Sequence, residues 1–280
     1  MLALKPHHES RFQEDMYKLQ VRSGYSQLML NSGYTGVRIV SCPSGESLER
    51  IAFPETIENF TLDAWLVSPD GRTSYLFSRD ETFALEIDFQ SKAVRKISLS
   101  PQMAPPTGLC WFTPGLRIWD QHRNEWRLDH ERFMPVKDEK DEKDGAQAEE
   151  KTRRFRQALS RLAGFTVLKM SARWQGFYVL SDDGGRIGYI PLNGDALLIS
   201  QDGSAIDVAH HEDELFVCFE NEIAQYAGGN RSTALKARPD EFFLAVQILE
   251  AEEAAYLCVL ASTQDQATSI LKFYQLLRQP

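Results

Sequence analysis

Imidazole and carboxylate groups capable of acid–base or metal chemistry crowd into one stretch of the chain, His210-His211-Glu212-Asp213-Glu214. Such groups carry protons near neutral pH and bind metals such as zinc. Their order is not His-Glu-x-x-His, which would place two imidazoles one helical turn apart on the same face. In an extended strand, adjacent side chains point to opposite faces, so these five could converge only on a loop. The pattern therefore predicts a solvated connection leading into the apolar run Leu215–Phe219, and no metal or cofactor is expected. His7-His8 reads as part of a mobile terminus. His122 and His130 flank Trp126 and read as polar loop residues.

Nucleophilic and phosphate chemistry find no motif. There is no Gly-x-Ser-x-Gly elbow, and no cysteine has a neighbouring histidine to activate it. Gly184-Gly185-Arg186-Ile187-Gly188 has the wrong spacing for a dinucleotide loop and reads as a hairpin turn. The acid pairs Asp182-Asp183 and Asp138 with Asp141 lack the alternating oxygen ligands of a calcium loop. No catalytic residue is assigned. Cys42, Cys110, Cys218 and Cys258 are widely separated and form no Cys-x-x-Cys pair, so all four are expected to be reduced, and the last three lie in apolar runs.

Two features suit recognition of a protein. Trp111, Trp119 and Trp126 fall in one short segment, and aromatic residues anchor many interfaces. Trp111 and Trp119 read as packing residues, whereas the charged neighbours of Trp126 point to an exposed contact. Glu149 to Phe165 places Phe155, Leu159 and Leu162 at helical spacing, which predicts an amphipathic helix. Its Arg153, Arg154, Arg156 and Arg161 are candidate partner contacts, because guanidinium groups pair directionally with carboxylates.

The elements that must carry these residues are mostly strands. The chain has 280 residues, 42% hydrophobic and 25% charged, an ordinary globular composition. Its formal charge of -9 opposes broad attraction to nucleic acid or anionic membrane and suits a basic protein partner. The opening residues turn polar before a signal-peptide core could form, and no apolar run is long enough to span a bilayer as a helix, so a cytoplasmic location is expected.

Paired apolar runs rich in β-branched and aromatic residues recur along the chain and read as serial hairpins. The clearest is Thr73–Ser78 followed by Thr82–Phe89, preceded by the turn Ser68-Pro69-Asp70-Gly71. Others fall at Leu109–Phe112 with Leu116–Asp120, Phe177–Ser181 with Arg186–Leu192, and Leu215–Phe219 with Glu222–Tyr226. Gln27–Leu30 with Val37–Ser41 and Ala255–Ala261 with Ile270–Leu276 are looser copies. With Leu28, Tyr75, Cys110, Tyr178, Phe216 and Leu257 as midpoints, the separations are 47, 35, 68, 38 and 41 residues. A period of about 40 residues with four short strands per unit is the pattern of propeller blades, which bury both faces of each sheet by stacking. The long gap holds the charged stretch Lys137–Gly145, and residues 136–150 are expected to form a mobile insertion projecting from the β core.

Ser68-Pro69-Asp70-Gly71-Arg72-Thr73-Ser74-Tyr75-Leu76-Phe77-Ser78 resembles the turn-and-strand element of WD-like bacterial β-propellers, and His211–Val217 is similar in style. As a pattern the resemblance covers residues 24 to 280 and implies an architecture. The Gly-His partner of Trp-Asp repeats does not precede Trp119-Asp120, so the chemistry of those repeats is not carried over. The expected fold is all-β, a propeller of six or seven blades, with a β-sandwich plus a second β domain as the competing architecture. Residues 1–23 would be helical or would supply a closing strand, residues 24–135 the first blades, 136–165 the insertion and helix, and 166–280 the remaining blades. The function implied is a non-catalytic protein-binding module, an intracellular adaptor or an inhibitor of immunity type. The alternative is a propeller enzyme or small-molecule binder working from the central channel.

Overall fold

The computed structural model describes residues 2–22, 24–112, 115–120, 122, 124–136, 165–170, 176–181, 186–191, 197–200, 204–227, 230–251, 253–265 and 268–278. Among them are 24 strands and no helix. The chain opens with β1 (Leu2–Phe12) and continues through β2 (Leu19–Arg22), β3 (Gln27–Asn31), β4 (Gly36–Ser41) and β5 (Ser47–Ala52). Then come β6 (Ala64–Val67), β7 (Thr73–Phe77), β8 (Phe83–Asp88) and β9 (Val94–Ser98), followed by β10 (Pro106–Phe112), β11 (Gly115–Asp120), β12 (Glu125–Asp129) and β13 (Arg132–Pro135). Next are β14 (Phe165–Met170), β15 (Gly176–Ser181), β16 (Arg186–Pro191) and β17 (Leu197–Ser200), then β18 (Asp207–His211), β19 (Glu214–Cys218), β20 (Glu222–Ala227) and β21 (Asn230–Lys236). The last are β22 (Glu241–Glu250), β23 (Ala255–Thr263) and β24 (Ser269–Arg278).

Two compact units result, residues 1–60 with 205–280 and residues 61–204. The first holds three four-stranded sheets, ordered β2-β3-β4-β5, β18-β19-β20-β21 and β1-β24-β23-β22. The last of these is assembled from both ends of the sequence, with β1 antiparallel to β24 from Leu2↔Arg278 to Phe12↔Ser269. The second unit holds the series β6 to β9, β10 to β13 and β14 to β17; β13 and β9 touch at a single parallel pair, Arg132↔Ser98.

Burial explains why β23 is an unbroken apolar run. Leu257, Val259 and Ala261 pack with Phe216, Cys218 and Ile223 of the β18–β21 sheet. The alternate residues Tyr256, Cys258 and Leu260 pack with Leu19, Leu28, Leu30 and Val40 of the β2–β5 sheet. Successive side chains point to opposite faces of a strand, so a sheet covered on both sides needs apolar residues at every position. Each buried leucine contributes about 1.5–3 kcal/mol, and both faces are therefore strongly specified. In the second unit Leu66, Phe77 and Ala84 pack against Leu109, Ile118 and Trp126 in the same sheet-on-sheet manner.

The Ser68–Arg72 turn forms as its composition predicts. The Asp70 carboxylate accepts from the Ser68 hydroxyl at 2.6 Å and the Arg72 amide at 3.1 Å, while Gly71 takes φ 67°. Of the two alternatives for residues 1–23, the structure has the strand: β1 takes the open edge of β24, Leu19 begins β2, and Met16 is buried in the connection between them. Two expectations change. His7-His8 lies within β1, where the His7 ring meets Tyr256 edge-on at 5.3 Å. Phe165 opens β14 rather than closing a helix; residues 137–164, with the expected insertion and the rest of the helix, lie outside the described residues. No helix among the described residues is long and apolar enough to cross a membrane.

Candidate protein-binding surface

The best-organised exposed aromatic group lies at one end of the β2–β5 sheet, where the β3–β4 turn meets the connection between β1 and β2. Asn31, at the end of β3 and 1% exposed, holds the two together. Its side-chain oxygen accepts from the amides of Tyr17 and Lys18, each at 2.7 Å. Its amide nitrogen donates to the carbonyls of Asp15 at 3.2 Å and Gly33 at 3.1 Å. All four hydrogen-bonding positions of a buried carboxamide are thus used, as burial of a polar group demands. The Ser269 hydroxyl anchors the connection from below, donating to the Glu14 carbonyl at 2.7 Å and accepting from the Met16 amide at 2.9 Å.

On this frame the rings of Tyr17 and Tyr34 lie 6.0 Å apart, tilted by 39°. Tyr34 remains 40% exposed and its hydroxyl donates to Asp15 at 3.4 Å. The neighbouring Asp15 charge, helped by partial burial, raises the Tyr34 phenol above its usual value and keeps it a neutral donor. Beside the pair runs a charged network. Glu14 accepts from the Ser32 hydroxyl at 2.6 Å and from Arg38. The Arg50 guanidinium donates to Ser32 Oγ and to Thr35 Oγ1, both at 2.8 Å. Burial by itself would raise the Glu14 carboxyl; the bonds from Ser32 and Arg38 and the charges of Arg38 and Arg50 outweigh it and hold Glu14 below the usual range. Arg50 itself stays exposed. The result is a preorganised patch of tyrosine and arginine, residue types that dominate interface energetics.

The residues singled out in the sequence go elsewhere. Trp126 is a correction: it is 2% exposed, and its indole donates to Asp120 at 3.0 Å. Its charged neighbours alternate onto the other face of β12 while the indole turns into the core. Trp119 is also buried, whereas the Trp111 side chain lies outside the described residues. Arg153, Arg154, Arg156 and Arg161 are outside them too. The His210–Glu214 stretch is a hairpin whose members separate: His211 Nδ1 sits 3.1 Å from Glu250, Glu212 pairs with Arg278, and Glu214 accepts the Leu2 amide at 3.0 Å. Among the described residues, no three His, Cys, Asp or Glu side chains gather as a metal site. Sequence reading missed Tyr17 and Tyr34; the available signal was Asn31-Ser32-Gly33-Tyr34, a turn that presents an aromatic residue.

No protein-family model matches the chain, and no curated protein matches it in sequence. In structure it is similar to the β-propeller domain of Cps50 (Swd1) from Myceliophteria thermophila, at 9% identity and a TM-score of 0.59, over 97% of this chain and 99% of that one. It is also similar to virginiamycin B lyase from Staphylococcus aureus, at 10% identity and a TM-score of 0.52, over 97% and 99% of the two chains. A streptogramin B lyase matches at 11% identity and a TM-score of 0.51, over 100% of this chain and 88% of the other. These likenesses, with the repeated four-stranded series, give a WD-like β-propeller fold. They span a propeller domain and an enzyme, so fold alone does not choose between binding and catalysis.

Proposed function

We propose that this chain is a non-catalytic protein-binding module, an intracellular adaptor or inhibitor, that engages its partner through the Tyr17–Tyr34 surface. The observation that carries the reading is a half-exposed tyrosine pair fixed to the backbone by a fully satisfied buried asparagine. A rigid aromatic anchor loses little entropy on binding, so its contact area converts efficiently into affinity. The excess of 40 acidic over 31 basic residues supports a partner with net positive charge. Arg153, Arg154, Arg156 and Arg161 are further candidate contacts, tested by reversing all four charges.

Affinity isolation of the native chain, followed by titration of the purified partner, tests the proposal. Tyr34→Ala should weaken the complex by about 30-fold or more, the loss of about 2 kcal/mol that marks an interface hot spot, without lowering the melting temperature appreciably. Binding should also weaken as salt is raised. Unchanged affinity in Tyr17→Ala and Tyr34→Ala, or recovery of a metabolite in place of a protein, would remove it.

A further inference from the structure

Two carboxylates stand on the Tyr17–Tyr34 surface, and they are differently matched. Glu14 is paired with Arg38 and bonded to the Ser32 hydroxyl. Asp15, the next residue, is exposed, and among the described residues it has no cationic partner; its carboxylate accepts from the Tyr34 hydroxyl at 3.4 Å. The Asp15 backbone is nonetheless fixed, because its carbonyl accepts from the Asn31 side chain at 3.2 Å and from the Gly33 amide at 3.1 Å. The ring beside it is open as well. Tyr34 is 40% exposed, and among the described residues no cation lies over it, whereas the Arg22 guanidinium already covers Tyr25, 3.9 Å from that ring's centroid. The arginines of the surface are engaged elsewhere, Arg38 with Glu14 and Arg50 with Ser32 and Thr35. Arg50 stems from β5 and Asp15 precedes β2, the two edge strands of that sheet.

We propose that Asp15, Tyr34 and Tyr17 form a subsite for an arginine side chain of the protein partner, an inference that rests on the reading of this surface as the binding site. The guanidinium stacks on the exposed Tyr34 ring, whose negative π-face attracts a cation, and donates to the Asp15 carboxylate. The Tyr34 hydroxyl uses one lone pair of that carboxylate and leaves others to accept. The Tyr17 ring, 6.0 Å from that of Tyr34 and tilted by 39°, extends the aromatic surface along which the arginine stem can lie. Arginine suits the position better than lysine, because its planar fork stacks and hydrogen-bonds at once. The formal charge of -9 draws such a group toward the chain.

The probe is N-acetylarginine amide, in which the guanidinium is the sole charge, titrated at millimolar concentration into the full chain carrying isotope-labelled tyrosine. Saturable shifts of the Tyr34 ring signals, identified by their loss in Tyr34→Leu, are the expected result in nuclear magnetic resonance spectra. The neutral isostere N-acetylcitrulline amide should cause little change. Asp15→Asn, which keeps the side-chain shape and an acceptor for Tyr34, should weaken arginine binding about 3-fold. No shift at Tyr34, equal shifts with the citrulline compound, or unchanged affinity in Asp15→Asn would each overturn the subsite. A stronger response to N-acetylglutamate amide would overturn it in favour of Arg50 as an anion contact. Failure of the subsite is distinguishable from failure of the surface, since Tyr34→Ala would still weaken the complex with the isolated partner if the arginine assignment alone were wrong.

Discussion

The Asp120 carboxylate accepts hydrogen bonds from the amides of Ala104, His122 and Asn124, the Asn124 side chain and the Trp126 indole. Burial alone would raise this carboxyl; the donors, led by Trp126 and Asn124, outweigh it and hold Asp120 below the ordinary range. A carboxyl depressed in the folded state contributes stability above its unfolded value, near 3.8, and that contribution is lost as pH falls through the lower folded value. Asp120→Ala leaves the buried indole donor unmatched and should cost about 2–3 kcal/mol in urea unfolding at pH 7. The variant's stability should also fall less steeply below pH 4 than that of the wild type. At this scale the sequence was legible only in part. Trp119-Asp120 was visible as a dipeptide, but that Asp120 would turn Trp126 inward depends on a tight turn spanning six residues, and the charges around Trp126 pointed the other way.

At the scale of the element, the hairpin pattern was legible because turn chemistry and strand composition agree. Part of the irregularity has a simple source: Leu109–Phe112 is the first strand of its series, whereas the other paired runs begin on the second, which shortens one interval and lengthens the next; the rest of the long interval is the stretch of chain between β13 and β14. The contribution of β1 was legible only as one of two alternatives, helix or closing strand, since Pro6 and two histidines interrupt its apolar pattern and its partner β24 lies at the far end of the chain. Contact with β1 constrains the β4–β5 turn. Gly45 has φ +66°, and a Cβ there would lie 2.1 Å from Ser10 Oγ and 3.0 Å from the Phe273 ring. Gly33 has a similar φ of +55° with nothing within 4 Å of the same position. Gly33→Ala should therefore cost only the left-handed backbone term, about 1–2 kcal/mol, while Gly45→Ala adds overpacking of about 1–3 kcal/mol. Equal losses for the two variants in denaturant titration would show that the turn does not press on β1. The last sheet also buries an ion pair, Lys272 with Glu241, at 6% and 0% side-chain exposure. Lys272→Met leaves the carboxylate with the Arg238 guanidinium alone, at 3.2 Å, and should cost about 1–3 kcal/mol, whereas adding Glu241→Leu to it should recover part of the loss, since apolar replacement of a buried pair is commonly neutral or better. A double variant less stable than Lys272→Met alone would contradict that account.

For the molecule as a whole, the propeller fold was accessible from sequence because stacking sheets imposes a period that composition cannot hide. The proposed surface was not, because its frame depends on Asn31, Glu14 and, from the far end of the chain, Ser269. Its position makes a spatial claim that one experiment can resolve. Tyr34 and Tyr25 sit at opposite ends of the β2–β5 sheet and are almost equally exposed, at 40% and 39%. Tyr25 carries the Arg22 guanidinium 3.9 Å from its ring centroid, so both positions offer an aromatic ring beside charge. A photoreactive phenylalanine placed at either position in the full chain, irradiated with the affinity-isolated partner, compares the two ends directly. Crosslinking at position 34 and little at position 25 is the predicted result; equal crosslinking at both, or capture only at position 25, would contradict the assignment of the Tyr17–Tyr34 surface.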